Sequence, residues 1–160
     1  MKMRTGQGID FHQLEEGKEL WLGGINIPSA KGSVAHSDGD VLIHAICDAL
    51  LGAAALGDIG YHFPDTDERY RGIDSKIILK ETIALIKAKG FAVINIDSTI
   101  CLEEPKLSGY INRMRDCLAE VCAIDRDLIS IKATTTEKMG FTGRGEGIIA
   151  LATVLLNKIN

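Results

Sequence analysis

The sequence predicts an α/β sandwich, a mixed sheet covered on one face by three helices. Three observations predict it. Strand-like and helix-like segments interleave along the chain, the order that stacks helices on a sheet. The apolar stretch from Val41 to Leu56 contains His44 and Asp48, too short for a membrane span and suited to a buried helix. Finally, 160 residues with 46% hydrophobic and 25% charged side chains suit one domain, 1–160, with a real core.

Met3 to His12 reads as a strand and Leu20 to Ile27 as a second, joined through Glu15-Glu16-Gly17. Ser37-Asp38-Gly39-Asp40 offers N-cap residues and early acidic charge for a helix running to about Leu56. Asp74-Ser75 caps a second helix, with Ile78, Ile83, Leu85 and Ile86 inward and Gly90 as its stop. Between Ala92 and Leu102 one strand face reads Ala92, Ile94, Ile96, Ile100, Leu102. A third helix begins near Ser108 and buries Ile111, Met114, Leu118 and Val121, and two strands follow, Leu128 to about Thr135 and Gly147 to Leu156. The sheet face without helices needs burying, and an oligomer would bury it.

The net charge of −4 gives no bulk reason to expect nucleic acid or an anionic membrane as partner. An anionic substrate must then be held by local cations, metals or backbone amides. Neither a cleaved leader nor a membrane span is expected. Cys47, Cys101, Cys117 and Cys122 show no Cys-x-x-Cys pair and no disulfide-framework spacing, which fits reduced thiols in a cytoplasmic compartment.

All four histidines fall in the first half of the chain. On a strand, Ile9 and Phe11 point one way while Asp10 and His12 point the other. A carboxylate and an imidazole one pleat apart can close on a metal ion; the plain alternative is a half-buried strand with a polar outer face. His44 bears on the choice. With Asp40 and Asp48 it forms a polar stripe at i, i+4 spacing on an apolar helix, so it can be a third ligand oriented by one of those carboxylates. Three N/O ligands leave a tetrahedral zinc one open position; Cys47, three residues on, is the rival that would close the shell and make the zinc structural.

His36-Ser37-Asp38-Gly39-Asp40 precedes a helix, where free N–H groups favour an anion, or serves only as a capping loop. The loop Gly57 to Asp67 gathers acidic side chains that can accept from sugar or polyol hydroxyls, or merely make solvated turns. Thr134-Thr135-Thr136-Glu137, running into Gly140 to Gly147 with Arg144, is a phosphate-cradle candidate, and Glu137 can hold Mg²⁺ or Mn²⁺ against a diphosphate. It lacks the Lys-Ser/Thr of a P-loop. Pro105-Lys106-Leu107 adds a cation at a turn.

Together these segments closely resemble the 2-C-methyl-D-erythritol 2,4-cyclodiphosphate synthase family over nearly the whole chain. The resemblance rests on Gly6-x-Gly8-x-Asp10-x-His12, the run His36 to Asp40 through His44, Asp58-Ile59-Gly60 with Phe63-Pro64-Asp65-Thr66-Asp67, Pro105-Lys106, and Lys132 to Lys138 through Phe141-Thr142-Gly143-Arg144. It implies zinc on Asp10, His12 and His44, a second divalent ion through Glu137, and His36 and Thr135 as the residues that steady the transferring phosphoryl group. It implies sugar contacts at Asp58 and Gly60, and a cytidine pocket from Pro105-Lys106-Leu107 and Thr134. Ser37, Ile59, Phe63, Pro64, Asp65, Thr66, Asp67 and Thr136 complete the expected substrate-binding set. Phe141 and Arg144 match residues near the substrate and a central channel that takes isoprenoid diphosphates in some relatives. The family implies a homotrimer with active sites between subunits. Leu102-Glu103-Glu104 departs from relatives, which more often have a small residue first and a neutral or basic one before the proline. Larger relatives fuse this domain to a cytidylyltransferase, for which 160 residues leave no room.

The expected reaction is a cyclising phosphoryl transfer on a cytidine-diphosphate substrate. The substrate's own 2-phosphate attacks its β-phosphate and CMP leaves, with Lys132 or Arg144 helping to neutralise charge. The rivals are a zinc-dependent nucleotide-diphosphate hydrolase and an isoprenoid-diphosphate-binding module whose structural zinc is closed by Cys47.

Overall fold

Alternation of small or polar residues with apolar ones makes the N-terminal segment a long strand, and the computed structural model, which describes residues 2–159, extends it beyond the expected end to β1, Met3–Glu16. The expected second strand, Leu20 to Ile27, is instead a hairpin. Gly23 and Gly24, both at positive φ, turn the chain between β2 (Leu20–Leu22) and β3 (Ile25–Ile27), which form a small separate sheet. An unforeseen short strand, β4 (Lys31–Val34), pairs with the end of β1. Helix α1 (Val41–Ala54) stops with Ala55 in the left-handed conformation. A short α2 (Ile59–His62) and a 3₁₀ turn at Glu68–Tyr70 lead to α3 (Ser75–Ala88), capped by Asp74 as expected. β5 (Phe91–Cys101), α4 (Ile111–Cys122), β6 (Ile129–Thr134), a short α5 (Gly140–Gly143) and β7 (Gly147–Lys158) complete the order.

Strand order in the main sheet is β4-β1-β7-β5-β6, antiparallel except for the β5–β6 pair. Helices α1, α3 and α4 cover one face, and the core lies between. The mixed sheet with three helices on one side agrees with the sequence-based expectation. Three details of the packing differ. A bulge between Val93 and Asn95 reverses the phase of β5, so Phe91, not Ala92 or Ile94, is buried at its start, while Ile96, Ser98 and Ile100 face the helices further on. On α3, Leu79 fills the core and Leu85 is only half-buried. On α4, Cys122 is buried where Ile111 and Val121 are only partly so.

The contact of α1 with β1 decides where the site lies. Every α1 residue except His44, Asp48 and Gly52 is buried. Below it, a Cβ on Gly6 would stand 2.0 Å from the Ala49 carbonyl oxygen, and one on Gly8 2.0 Å from that of Ala45. Only glycine lets the helix approach the strand this closely. Gly6, Gly8, Asp10, His12 and Leu14 therefore share the helix-facing side. Ile9 and Phe11 point to the open face, 47% and 52% exposed. The polar side of β1 is thus the inner one, opposite to a strand with a polar outer face.

Candidate active site

With α1 lying on the glycines of β1, His44 comes down beside Asp10 and His12. Donor atoms of the three side chains lie within 4.8 Å of one another. His12 Nε2 is 2.9 Å and His44 Nδ1 3.2 Å from the same carboxylate oxygen, Asp10 Oδ2. Burial raises the Asp10 carboxyl, but hydrogen bonds and charge from His12 and His44 outweigh it and hold the group well below the usual carboxylate range. Burial opposes protonation of His12 in turn, yet the Asp10 carboxylate leaves its pKa above the ordinary imidazole value. Two imidazoles and a carboxylate, each half-buried and converging on one point, suit a metal ion such as zinc with three protein ligands and one open position.

His12 Nδ1 lies 2.9 Å from the Gly39 carbonyl oxygen, which only accepts, so this nitrogen carries the proton and Nε2 is left to ligate. His44 Nε2 contacts Ser75 Oγ at 2.9 Å and Ser37 Oγ at 3.3 Å. Neither Asp40 nor Asp48 orients His44, as the helix stripe had suggested. Asp40 is fully buried and accepts from the Gly23, Gly24 and Ile43 backbone N–H groups, fastening the β2–β3 hairpin to the start of α1. Burial pushes its carboxyl up. Asp48 accepts from the Ile59 N–H at 2.7 Å, which ties the Asp58-Ile59-Gly60 loop to α1 one turn beyond His44. Cys47 takes no part in the cluster. It is wholly buried in the core and is not among the donor atoms that converge, so the fourth side-chain ligand of a closed structural site is not supplied by it.

Among the other expected site residues, the Gly72 N–H donates to the His36 carbonyl at 2.7 Å, while the buried His36 Nε2 has no hydrogen-bond partner among the described residues. Asp58 caps α2 through the Tyr61 N–H. Phe63 packs edge-on to Tyr70, Pro64 to Asp67 form a turn, and Asp67 pairs with Arg69. Asp65 and Thr66 are exposed on that turn.

A second cluster gathers at the far side of the sheet. Leu102, Pro105, Lys106, Leu107, Thr134 and Thr135 line a cavity of about 250 Å³, and Thr135 Oγ1 donates to Glu137 at 2.6 Å. Glu103 is the anchor that sequence reasoning missed: one of its oxygens accepts from the Thr136 N–H and hydroxyl and the Lys138 N–H. Those bonds support Glu137 and Lys138, both at positive φ. Phe141 lies 6.3 Å from Phe11, ring to ring. Lys132 is paired with Asp97 and Arg144 with Glu146, so neither cation is free in this chain.

The two clusters do not meet. Asp10 pairs with Ala150, Ala150 with Ile100, and Ile100 with Ala133. They share one row across the sheet, and three spacings of ~4.8 Å put its ends about 14 Å apart.

The profile of the YgbB family matches residues 3–157. The 2-C-methyl-D-erythritol 2,4-cyclodiphosphate synthase of Bacteroides fragilis is 64% identical over 159 residues, 99% of this chain and 100% of the relative. Among solved structures, the bifunctional IspDF of Campylobacter jejuni superposes with a TM-score of 0.96 at 42% identity, over 99% of this chain and 43% of that one. The IspF–CDP complex of Plasmodium falciparum does so with a TM-score of 0.86 at 35% identity, covering 99% of this chain and 97% of the other. Sequence identity spanning both chains and a shared backbone path lead to one conclusion: the protein belongs to the YgbB family, alongside these cyclodiphosphate synthases.

Proposed function

We propose that the protein is a phosphorus–oxygen lyase that cyclises 4-diphosphocytidyl-2-C-methyl-D-erythritol 2-phosphate to 2-C-methyl-D-erythritol 2,4-cyclodiphosphate, with release of CMP, in the non-mevalonate isoprenoid pathway. The observation that carries this reading is the Asp10–His12–His44 triad, with its donor atoms within 4.8 Å, in a chain 64% identical to a relative of that name.

In the reaction an oxygen of the substrate's own 2-phosphate attacks the β-phosphorus. The bond from that phosphorus to the bridging oxygen of CMP breaks, and CMP leaves with the electron pair. Such a transfer asks for positioning and charge neutralisation more than for acid–base chemistry. Asp10, His12 and His44 would hold one zinc ion per subunit, which supplies Lewis-acid neutralisation of phosphoryl oxygen. Glu137, exposed and steadied by the Thr135 hydroxyl, would hold Mg²⁺ or Mn²⁺ with the diphosphate. His36 and Thr135 steady the transferring group. The Asp58-Ile59-Gly60 loop, Ser37 and the segment from Phe63 to Asp67 take the polyol. Pro105, Lys106, Leu107 and Thr134 take the cytidine, Thr136 completes the substrate-binding set, and the Plasmodium falciparum CDP complex supports a cytidine nucleotide as ligand.

The same reading makes the whole chain one domain of a homotrimer with active sites between subunits. The exposed apolar face at Ile9 and Phe11 and the separation of the two clusters support it, because a neighbouring copy can bring a second chain's cytidine cluster to the first chain's metal centre. Phe141 and Arg144 would then border an apolar channel on the threefold axis, open to an isoprenoid diphosphate. Four free cysteines suit a reducing, cytoplasmic setting.

Phosphorus NMR tests the reading. The full substrate should give CMP and the cyclic product with no linear diphosphate, since an oriented internal nucleophile has an effective molarity of ~10⁵ M or more. An analogue lacking the 2-phosphate should release negligible CMP. Comparable release from both compounds would make water the attacker and the protein a hydrolase.

A further inference from the structure

We infer that Ser75 and Asp38 are positioning residues that fix His44 in its metal-ligating tautomer; the inference rests on the triad holding zinc. Ser75 is wholly buried at the first turn of α3, far from His44 in sequence. Its hydroxyl donates to Asp38 Oδ1 at 2.5 Å, and its backbone N–H donates to Asp38 Oδ2 at 2.9 Å. The Asp38 carboxylate has no proton to give, so the direction of the chain is set from its far end. With its one hydrogen committed to Asp38, Ser75 Oγ can only accept from His44 Nε2, 2.9 Å away. Nε2 then keeps the proton, and the lone pair of Nδ1 faces the metal position beside Asp10 Oδ2. Ser37 Oγ, 3.3 Å from the same nitrogen, adds a longer contact.

Gly39 performs the equivalent task for His12, whose Nδ1 it holds through its carbonyl. Adjacent residues of one loop, Asp38 and Gly39, thus aim both imidazoles at one point. The Asp38–Ser75 contact also fastens that loop to α3, so the metal centre takes its geometry from a helix that supplies no ligand. Asparagine at 38 cannot reproduce the arrangement. The Ser75 hydroxyl and N–H use the two different carboxylate oxygens, and an amide offers an oxygen at only one of those places, while its NH₂ group turned to the hydroxyl would reverse the polarity of the relay.

Zinc affinity and the His44 ring signals test this. Chelator competition on Ser75→Ala and Asp38→Asn should show zinc bound about 10- to 100-fold more weakly than by the unaltered protein, the usual effect of losing a partner of a ligating histidine. In the zinc-loaded unaltered protein, ¹⁵N NMR should show His44 with a proton on Nε2 that exchanges slowly with water, and Ser75→Ala should lose that protection. A merely structural role for Ser75 would not move this signal. Unaltered zinc affinity in both variants overturns the inference while leaving the zinc site standing. So does a proton on His44 Nδ1 in the unaltered protein, a result that needs no variant to fold. Failure of the unaltered protein to bind zinc overturns the metal site and the inference together.

Discussion

His44 and Cys47 lie three residues apart on α1, yet one faces the β1 carboxylate and the other the core. Substituting them should therefore have opposite consequences. His44→Ala should lose zinc and turnover together, whereas Cys47→Ala should keep both at a stability cost of about 1 kcal/mol for the lost buried atom. Metal analysis of the purified variants checks this; zinc loss from Cys47→Ala would restore a role for the thiol. Glu103 gives a pH-dependent case. The Thr136 N–H chiefly, with the Lys138 N–H and the Thr136 hydroxyl, holds its carboxyl below the ordinary value of 4.5. A depressed folded value means that its support for the 136–138 turn is present above pH of about 4.5 and lost as pH falls through the folded value. Glu103→Gln should speed amide exchange at Thr136 and Lys138 at pH 7 and remove the acid dependence of that exchange. Protection that is unchanged in the variant would show that the turn stands without the carboxylate.

At the scale of elements, the α1–β1 contact sets the site. Gly8 is one residue pair from Asp10, and the Ala45 carbonyl fills the space that a side chain there would need. Gly8→Ala should lift α1 from the strand, cost about 3 kcal/mol or more, and weaken zinc binding because His44 moves with its helix. A thermal melt and a zinc titration on the same preparation measure both effects. Loss of stability with unchanged zinc affinity would show that His44 reaches the metal position independently of the helix seat.

For the whole molecule, the proposed trimer predicts complementation. His44→Ala removes the metal half of a site and Lys106→Ala removes part of the cytidine half. If sites are built between copies, unfolding and refolding the two inactive variants together should restore about a quarter of sites, the fraction expected from random assortment at equal concentrations. No recovery in mixed oligomers would place both halves of each site in one chain. On the open face, Phe11→Asp should yield smaller species by light scattering and little turnover. A particle of unchanged size would leave this face without a role in assembly.

Period and capping were enough to read α1, α3, the inner residues Met114 and Leu118, and the pairing of Asp10 with His12, because each depends on neighbours a few residues away. The candidate triad was readable from the polar stripe on α1 together with the family motifs, although His44 meets Asp10 only through the α1–β1 contact. The β5 bulge, the β2–β3 hairpin and β4 were not legible, since they depend on what a strand meets across the sheet. Nor did the sequence reveal which side of β1 is inner, because glycines that seat a helix look like gaps in an apolar pattern. The partners of His44 were misassigned for the same reason. Asp40 and Asp48 share its helix face, but Asp38 and Ser75 reach it through a loop and a second helix whose meeting only tertiary packing decides. Local periodicity determined the main helices and strands and the spacing of the candidate ligands; long-range contacts, which no local window contains, determined how those side chains are aimed.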